Sequence, residues 1–288
     1  MVDEALSYLD PQPGMFLVDC TVGAGGHAQE TLNRILPHGF LLGIEQDDRM
    51  VEEARHRLAR YEPHVELVRD SFRHVADIVA AQGRGDTDGM LFDLGVASQQ
   101  IEVPDRGFSF SIDGPLDMRM DRRGARTAAD VVNCEPEERL ADMIRTYGEE
   151  RYARRIAERI VQRRGRGRIQ RTLELASIVA EAVPGRKTRI HPATRTFQAI
   201  RIEVNDELRS LQDALEQLPG CLKPGAHVVV ISFHSLEDRI VKQAFRRFAR
   251  SGEMKILTRR VVRPTEAEVV RNPRSRSARL RVAEREGP

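Results

Sequence analysis

The stretch Leu17-Val-Asp-Cys-Thr-Val-Gly-Ala-Gly-Gly-His27 decides how the rest of the chain is read. A short apolar run from Met15 to Val18 ends at Asp19, three glycines follow, and a helical pattern then runs from Ala28 to Leu36. Strand, glycine-rich turn and helix in that order predict a loop whose bare backbone can approach a ligand at a helix N-terminus. Gly23-Ala-Gly25-Gly26-His27-Ala28 also fits the G-x-G-x-x-A form of the dinucleotide fingerprint. Alone this motif is weak; its meaning depends on the segments around it.

Upstream, Val2–Leu9 predicts a lead-in helix. Downstream, Phe40–Glu45 predicts a second buried strand ending in a carboxylate, and a helix opens at Asp47-Asp48 and runs to Tyr61. Val65–Val68 predicts a third strand leading into Arg69-Asp-Ser-Phe72. The helix Val75–Gln82 closes at Gly83, and Met90–Asp93 is a fourth strand. This alternation implies right-handed βαβ units and a parallel sheet. From Gly95 to Pro192 nothing reads as a buried strand, and helical patterns cover Pro136–Tyr147, Glu150–Arg164 and Thr172–Val183. Strands resume at His227–Ser232, followed by the helix Leu236–Phe248 and the strands Lys255–Thr258 and Ala278–Val282. The economical organisation is one α/β domain, residues 1–100 and 200–288, interrupted by a helical insertion, residues 101–199.

The longest helical pattern starts at Pro192, a residue suited to a first turn. Phe197, Ile200, Val204, Leu208, Leu211, Leu215 and Leu218 recur at gaps of three and four and predict a single apolar seam. Arg195, Gln198, Arg201 and Asn205 form a second, polar stripe, either a solvent face or the border of a cleft.

The totals bound the class. At 288 residues, 40% hydrophobic and 31% charged, the chain can bury a sizeable core. No apolar run approaches the roughly 20 residues of a membrane helix, and no basic-then-apolar signal pattern opens the chain, so a cytoplasmic location is expected. Cys20, Cys134 and Cys221 are odd in number and far apart, with no C-x-x-C, which indicates neither a disulfide framework nor a zinc site. The formal charge of +2 conceals an asymmetry: Met1–Gln100 holds 17 acidic and 8 basic residues, so the excess of base lies in the second half. Two blocks, Arg151–Arg171 and Arg246–Arg285, carry it and suggest a polyanionic partner.

In an open α/β sheet, ligands bind beyond the carboxyl ends of the strands. Four segments converge there: Asp19–His27, Glu45, Asp70-Ser-Phe72 and Asp93-Leu-Gly95. The glycines admit close backbone approach, Glu45 suits the two hydroxyls of a ribose, Phe72 offers a plane to a purine, and Asp93 accepts from an amino group. A dinucleotide fits the same frame. The acidic edge and the lack of a basic residue in the turn before Arg34 favour S-adenosylmethionine, whose sulfonium and ammonium are cationic. The insertion opens with Asp105–Asp121, whose carboxylates, arginines, Phe108 and Phe110 (read as exposed) are too dense for a plain linker. Ser235 with Asp238 predicts a capping box rather than a nucleophile. No P-loop, no H-E-x-x-H and no metal-ligand spacing among the histidines occurs, so no metal is expected.

Several blocks resemble the bacterial small-subunit ribosomal RNA cytosine-N4 methyltransferases, the RsmH or MraW family. They are Asp19–His27, Asp93-Leu-Gly-Val-Ala-Ser98, Arg106-Gly-Phe-Ser-Phe110, Asp113-Gly-Pro-Leu-Asp-Met-Arg-Met-Asp121 and Tyr147-Gly-Glu-Glu-Arg151. The series continues with His191–Asn205, Ser232-Phe-His-Ser-Leu-Glu-Asp-Arg239 and Asn272-Pro-Arg-Ser-Arg-Ser277. The resemblance spans nearly the whole chain in collinear order. It departs at Glu45, where many members have Asp, at Gln99, where a small residue or Pro often stands, and in lacking the usual His-x-Pro-Val lead-in.

The resemblance implies a Rossmann-like S-adenosylmethionine-dependent methyltransferase sheet with an inserted helical domain for substrate recognition. It implies transfer to N4 of a cytosine in the decoding region of 16S ribosomal RNA, position 1402, within the small ribosomal subunit. Its cofactor contacts fall on Gly25, Gly26, His27, Glu45, Phe72, Asp93 and Gln100, with Gln99 as the rival of Gln100. The acceptor for the cytosine amine is expected at Asp117, with Asp113 and Asp93 as alternatives, although ion pairs to Arg106 or Arg119 are an equal reading for the insertion's aspartates. Arg151, Arg155, Arg159 and Arg163 predict an i+4 ridge for RNA phosphates, with Arg195, Arg201, Arg274 and Arg276 as further candidates. Competing readings are a non-catalytic RNA-binding or ribosome-assembly factor, a methyltransferase acting on DNA or a small molecule, and a nicotinamide-dependent oxidoreductase. The sequence Asp93-Leu-Gly-Val, in place of a [DNS]-P-P-[YFW] motif, argues against the DNA enzymes. Monomer and homodimer both remain open.

Overall fold

The computed structural model describes residues 1–184 and 191–287. In chain order it contains α1 (Val2–Leu9), β1 (Phe16–Asp19), α2 (Gly26–Ile35), β2 (Phe40–Ile44), α3 (Asp48–Leu58), β3 (Val65–Val68), α4 (Val75–Ala81) and β4 (Thr87–Asp93). There follow α5 (Ser98–Glu102), α6 (Ala128–Cys134), α7 (Glu137–Gly148), α8 (Ala153–Arg164), α9 (Thr172–Ala182) and α10 (Thr194–Asn205). The remainder is α11 (Glu207–Gln217), β5 (Leu222–Ser232), α12 (Ser235–Ser251), β6 (Met254–Ile256), α13 (Glu266–Arg271) and β7 (Arg279–Arg285). Two units result, Met1–Gly95 with Leu208–Pro288, and Val96–Glu207.

The first unit is a seven-stranded sheet in the order β3-β2-β1-β4-β5-β7-β6. The first five strands in sequence are parallel; β7 runs antiparallel between β5 and β6. β1 and β2 are buried along their whole length, as strands covered on both faces must be. Successive side chains alternate between the faces. Val18, Leu42, Met90 and Phe92 share a core with Val75 of α4, Leu211 and Leu215 of α11 and Phe245 of α12. Leu17, Leu41 and Leu91 share the opposite core with Leu6 of α1, Leu32 of α2 and Leu58 of α3. This is a doubly wound, Rossmann-like α/β fold. Its strand order reverses between β1 and β4, which opens a crevice at their carboxyl ends.

The second unit has its own core, built from helices α6 to α10 and the loop before α6. Phe108, read from sequence as exposed, is buried in it, because the Phe108–Phe110 segment tucks beneath the helices. Phe110 stacks on His191 at 4.7 Å and meets Phe197 edge-on. Gly148 ends α7 where it crosses α10: a Cβ there would lie 2.6 Å from the Arg195 carbonyl.

The predicted long helix from Pro192 is two helices. α10 starts at Thr194 and stops at Asn205, whose Nδ2 donates to the Arg201 carbonyl at 2.8 Å, and Asp206 adopts φ 49°, a left-handed cap. The apolar seam is accordingly shared out. Phe197, Ile200 and Val204 belong to the second unit, while Leu211, Leu215 and Leu218 belong to the sheet. Two other expectations shift. His234, not Ser235, caps α12: its Nδ1 accepts from Glu237 N, and Glu237 Oε2 accepts from Phe233 N at 2.9 Å. Helix α8 begins at Ala153, so Arg151 precedes it and stacks over Tyr152 instead of heading the ridge.

Candidate active site

The mouth between β1 and β4 is assembled from main-chain constraints. After Asp19 the chain turns through Gly23 (φ 51°) and Gly25 (φ 82°), left-handed positions at which any side chain would be strained. Gly25 is the N-cap of α2. Gly43 in β2 makes room for this turn: a Cβ there would sit 2.6 Å from Leu67 Cδ2 and 3.1 Å from Val22 Cγ2. Thr21 links the two strands, its Oγ1 accepting from Asp93 N at 2.6 Å.

Glu45 ties the glycine turn to the end of β2. Its Oε2 accepts from Gly23 N at 3.1 Å and its Oε1 from Asp47 N at 2.9 Å. Asp47, fully buried, caps α3 through Arg49 N and Met50 N. Asp19 Oδ1 accepts from Thr21 N at 3.1 Å. Asp93 Oδ2 lies 3.6 Å from His27 Nδ1, too far for a good hydrogen bond.

Three buried polar atoms in this mouth, Asp19 Oδ2, Asp93 Oδ1 and His27 Nε2, have no protein partner among the described residues. Orphaned polar atoms of this kind are costly. The electrostatics follow from crowding. Burial, reinforced by the charges of Asp93 and Glu45, pushes the Asp19 carboxyl up to about 7. Burial also raises Glu45 to about 7, against the pull of the hydrogen bonds from Asp47 and Gly23. Asp93 is raised by burial, with His27 acting against it, and burial lowers the His27 imidazole. The mouth therefore favours a ligand that brings positive charge and hydrogen-bond donors.

Two further sequence candidates lie in the turn after β3. Asp70 is half exposed and is used by its own turn, accepting from Ser71 N at 2.7 Å and from His74 Nδ1 at 3.1 Å. Phe72 is half-buried and packs edge-on to Phe92 with centroids 5.8 Å apart. The sequence reading also missed a cation. Arg57 of α3 packs against the glycine turn, its Nη1 3.6 Å from where a Gly26 Cβ would project. It is remote in sequence, and only the α3 register reveals it.

The second unit holds the remaining candidates. Gln100 is buried, and its Oε1 accepts from Ala97 N at 2.9 Å, securing the start of α5, whereas Gln99 is half-buried. Asp117 is gripped by Arg119 through Nε and Nη2, both at 2.8 Å, and by Arg119 N at 3.0 Å. Burial works to raise its carboxyl, but these bonds outweigh burial and hold it below the ordinary range. Arg119 Nη1 in turn donates to the Arg122 and Gly124 carbonyls. The buried guanidinium of Arg106 donates to the Arg119 and Met120 carbonyls. Asp113 is exposed and pairs with Arg171 at 2.6 Å, which keeps its carboxyl low. Asn205 closes the segment, accepting from Met120 N at 2.7 Å and donating to the Met118 carbonyl at 2.8 Å.

The basic residues are unevenly committed. Arg201 holds Glu207 through two bonds of 2.8 and 2.9 Å, and Arg195 donates to the Glu149 carbonyl beside Glu150. Arg163, Arg168 and Arg171 meet Glu174, Asp130 and Asp113. Arg151, Arg155, Arg159, Arg274 and Arg276 are exposed.

The family model described as the MraW methylase family matches residues 1–286. The ribosomal RNA small subunit methyltransferase H of Geobacter sulfurreducens is 48% identical over 302 aligned residues, covering 99% of this chain and 97% of that protein. The protein of that name from Symbiobacterium thermophilum is 48% identical over 298 residues, covering 98% and 94%. The one from Brevibacillus brevis is 44% identical over 302 residues, covering 99% and 96%.

Proposed function

This chain belongs to the MraW methylase family, and from that premise we propose that it methylates N4 of a cytosine in the decoding region of 16S ribosomal RNA, position 1402. The methyl donor is S-adenosylmethionine, the substrate is the RNA within the small ribosomal subunit, and the reaction takes place in the cytoplasm. The observation that carries the donor assignment is the set of orphaned buried atoms on Asp19, Asp93 and His27. They fit the group: two carboxylate oxygens complement its cations, and the free N–H groups at the start of α2 complement its carboxylate. Glu45, with both oxygens anchored by backbone, is rigid enough to accept from ribose hydroxyls at its remaining lone pairs. Gly25 and Gly26 let the main chain come close, Phe72 borders the purine, and Gln100 contributes through the loop it secures.

The donor supplies an electrophilic methyl group; the chain's residues supply position and charge. The exocyclic amine of cytosine is a poor nucleophile because its lone pair is conjugated into the ring. It must be oriented, and its N–H groups must be accepted while positive charge develops on nitrogen. We assign that acceptor role to Asp117, which Arg119 holds in one orientation and keeps anionic. Asp113, exposed and spent on Arg171, is the weaker candidate. A strong base is not required, since the amine proton becomes acidic only after the methyl arrives. Arg151, Arg155, Arg159, Arg274 and Arg276 are exposed and would meet phosphates, and the target base must leave its stack to react. Contacts from Arg195 and Arg201 would have to compete with their internal partners.

Transfer of tritium from labelled S-adenosylmethionine to small-subunit RNA tests this function. Label in N4-methylcytidine after nuclease digestion is the expected result. Donor binding without label in any RNA or subunit would instead favour a non-catalytic assembly factor.

A further inference from the structure

Among the described residues, a groove of about 310 Å3 lies in the sheet unit between α12 and the strands β6 and β7, lined by Lys242, Phe245, Arg246, Ile256, Thr258, Arg259 and Arg281. It holds no carboxylate among its lining residues. Arg281 is spent on Asp238 at 2.7 Å. Lys242, Arg246 and Arg259 have no acidic partner among the described residues, unlike Arg247 on the same helix, which meets Glu216 at 3.3 Å. Thr258 accepts from Val282 N at 2.9 Å, which leaves its hydroxyl proton for an outside acceptor. Phe245 and Ile256 make the floor apolar.

Lys242 and Arg246 also belong to a row. With Arg250 they recur every fourth residue along α12, so three like charges stack on one helix face at a cost of a few tenths of a kcal/mol per pair. A line of uncompensated cations matches a polymer of evenly spaced anions better than a single free anion. By strand order the groove is displaced from the donor mouth: β6 lies three strands from β4, roughly 14 Å at the usual strand spacing.

We propose that this groove binds the phosphodiester backbone of the RNA substrate. It rests on RNA being the substrate. Phosphate contacts of this kind position a strand and are read as salt dependence.

The test compares wild type with the triple variant Lys242→Gln/Arg246→Gln/Arg259→Gln, using a small-subunit RNA fragment titrated at several salt concentrations. Three lost single-strand contacts should lower the slope of log K against log salt by about 2. Affinity for S-adenosylmethionine should stay within twofold, which shows that the variant folds. Arg247→Gln, a charge lost from the same helix, should leave the slope unchanged. An unchanged slope in the triple variant, with methyl transfer to RNA intact in wild type, overturns the groove but not the enzyme. A lowered slope with no methyl transfer overturns the RNA methyltransferase reading and keeps the groove. Adenosine monophosphate binding wild type as tightly as the RNA, and lost in the triple variant, would make the groove a nucleotide pocket and overturn the proposal.

Discussion

Replacing Asp19 by asparagine should stabilise the ligand-free protein, and increasingly so as pH rises. Asp19 is 3% exposed, and one of its oxygens has no partner. Its carboxyl titrates at about 7 in the folded chain, against an ordinary value of 3.8. Between those two values the unfolded chain is ionised while the native chain keeps its proton. Folding therefore takes up a proton, and stability falls as pH climbs until the full penalty is reached above pH 7. At 1.36 kcal/mol per unit, the part of the penalty that accrues between pH 5 and pH 7 is about 3 kcal/mol. Urea denaturation of both proteins without donor, at pH 5 and pH 8, reads it directly. The advantage of Asp19→Asn over wild type should be larger at pH 8 by about that amount. Donor affinity should move the other way, falling at least tenfold because a cation loses its counter-charge. An advantage of equal size at both pH values would refute the reasoning, since the difference depends on pH only if the Asp19 carboxyl of the folded chain changes charge between pH 5 and pH 8 while that of the unfolded chain, already ionised, does not.

Asp93→Asn and His27→Ala should each weaken S-adenosylmethionine binding by roughly ten- to a hundredfold, the worth of a charge-assisted hydrogen bond. Calorimetry checks this, and unchanged affinity in both would remove the donor from this mouth. Asp117→Asn should leave donor affinity unaltered and slow methyl transfer by roughly a hundredfold or more, measured as single-turnover tritium incorporation; a rate within twofold of wild type would exclude Asp117 as the acceptor. Gly107 has φ 71°, and a Cβ there would fall 2.2 Å from the Pro115 carbonyl oxygen. Gly107→Ala should therefore destabilise the protein by at least about 3 kcal/mol, visible as a fall in Tm, and a shift below two degrees would show that the loop yields.

What the sequence made legible was whatever depends on near neighbours. The β1 turn could be read because Asp19, the three glycines and the start of α2 lie within ten residues of one another, and their conformational demands are local. The apolar seam through Leu218 misled because periodicity cannot say which core a residue serves. Asn205-Asp206 was the available stop signal, and one left-handed residue there hands the seam from one core to the other. The arginines misled for the opposite reason. Arg151–Arg171 contains nine Arg and one Glu, yet Asp113, Asp130 and Glu174 arrive from outside the block to neutralise three of them. The cation at the glycine turn, Arg57, comes from α3, thirty residues on. Pairing of this sort is a property of the folded surface and leaves no trace in local composition.

The placing of β7 between β5 and β6 has a consequence for synthesis. β5 carries the run Val228–Ile231 and finds β4 on one side as soon as it is made, but the strand that covers its other side, starting opposite Ser232 at Arg279, lies 47 residues later. At ordinary translation speeds that edge waits for several seconds, on the order of two to nine. During the interval it presents a bare row of amides and carbonyls along an apolar strand, a template for pairing with another nascent copy. Val96–Glu207, contiguous and already complete by then, can fold meanwhile. The hazard in making this protein thus sits in the stretch between its fifth and seventh strands, where a slow codon or a lost chaperone would be felt first.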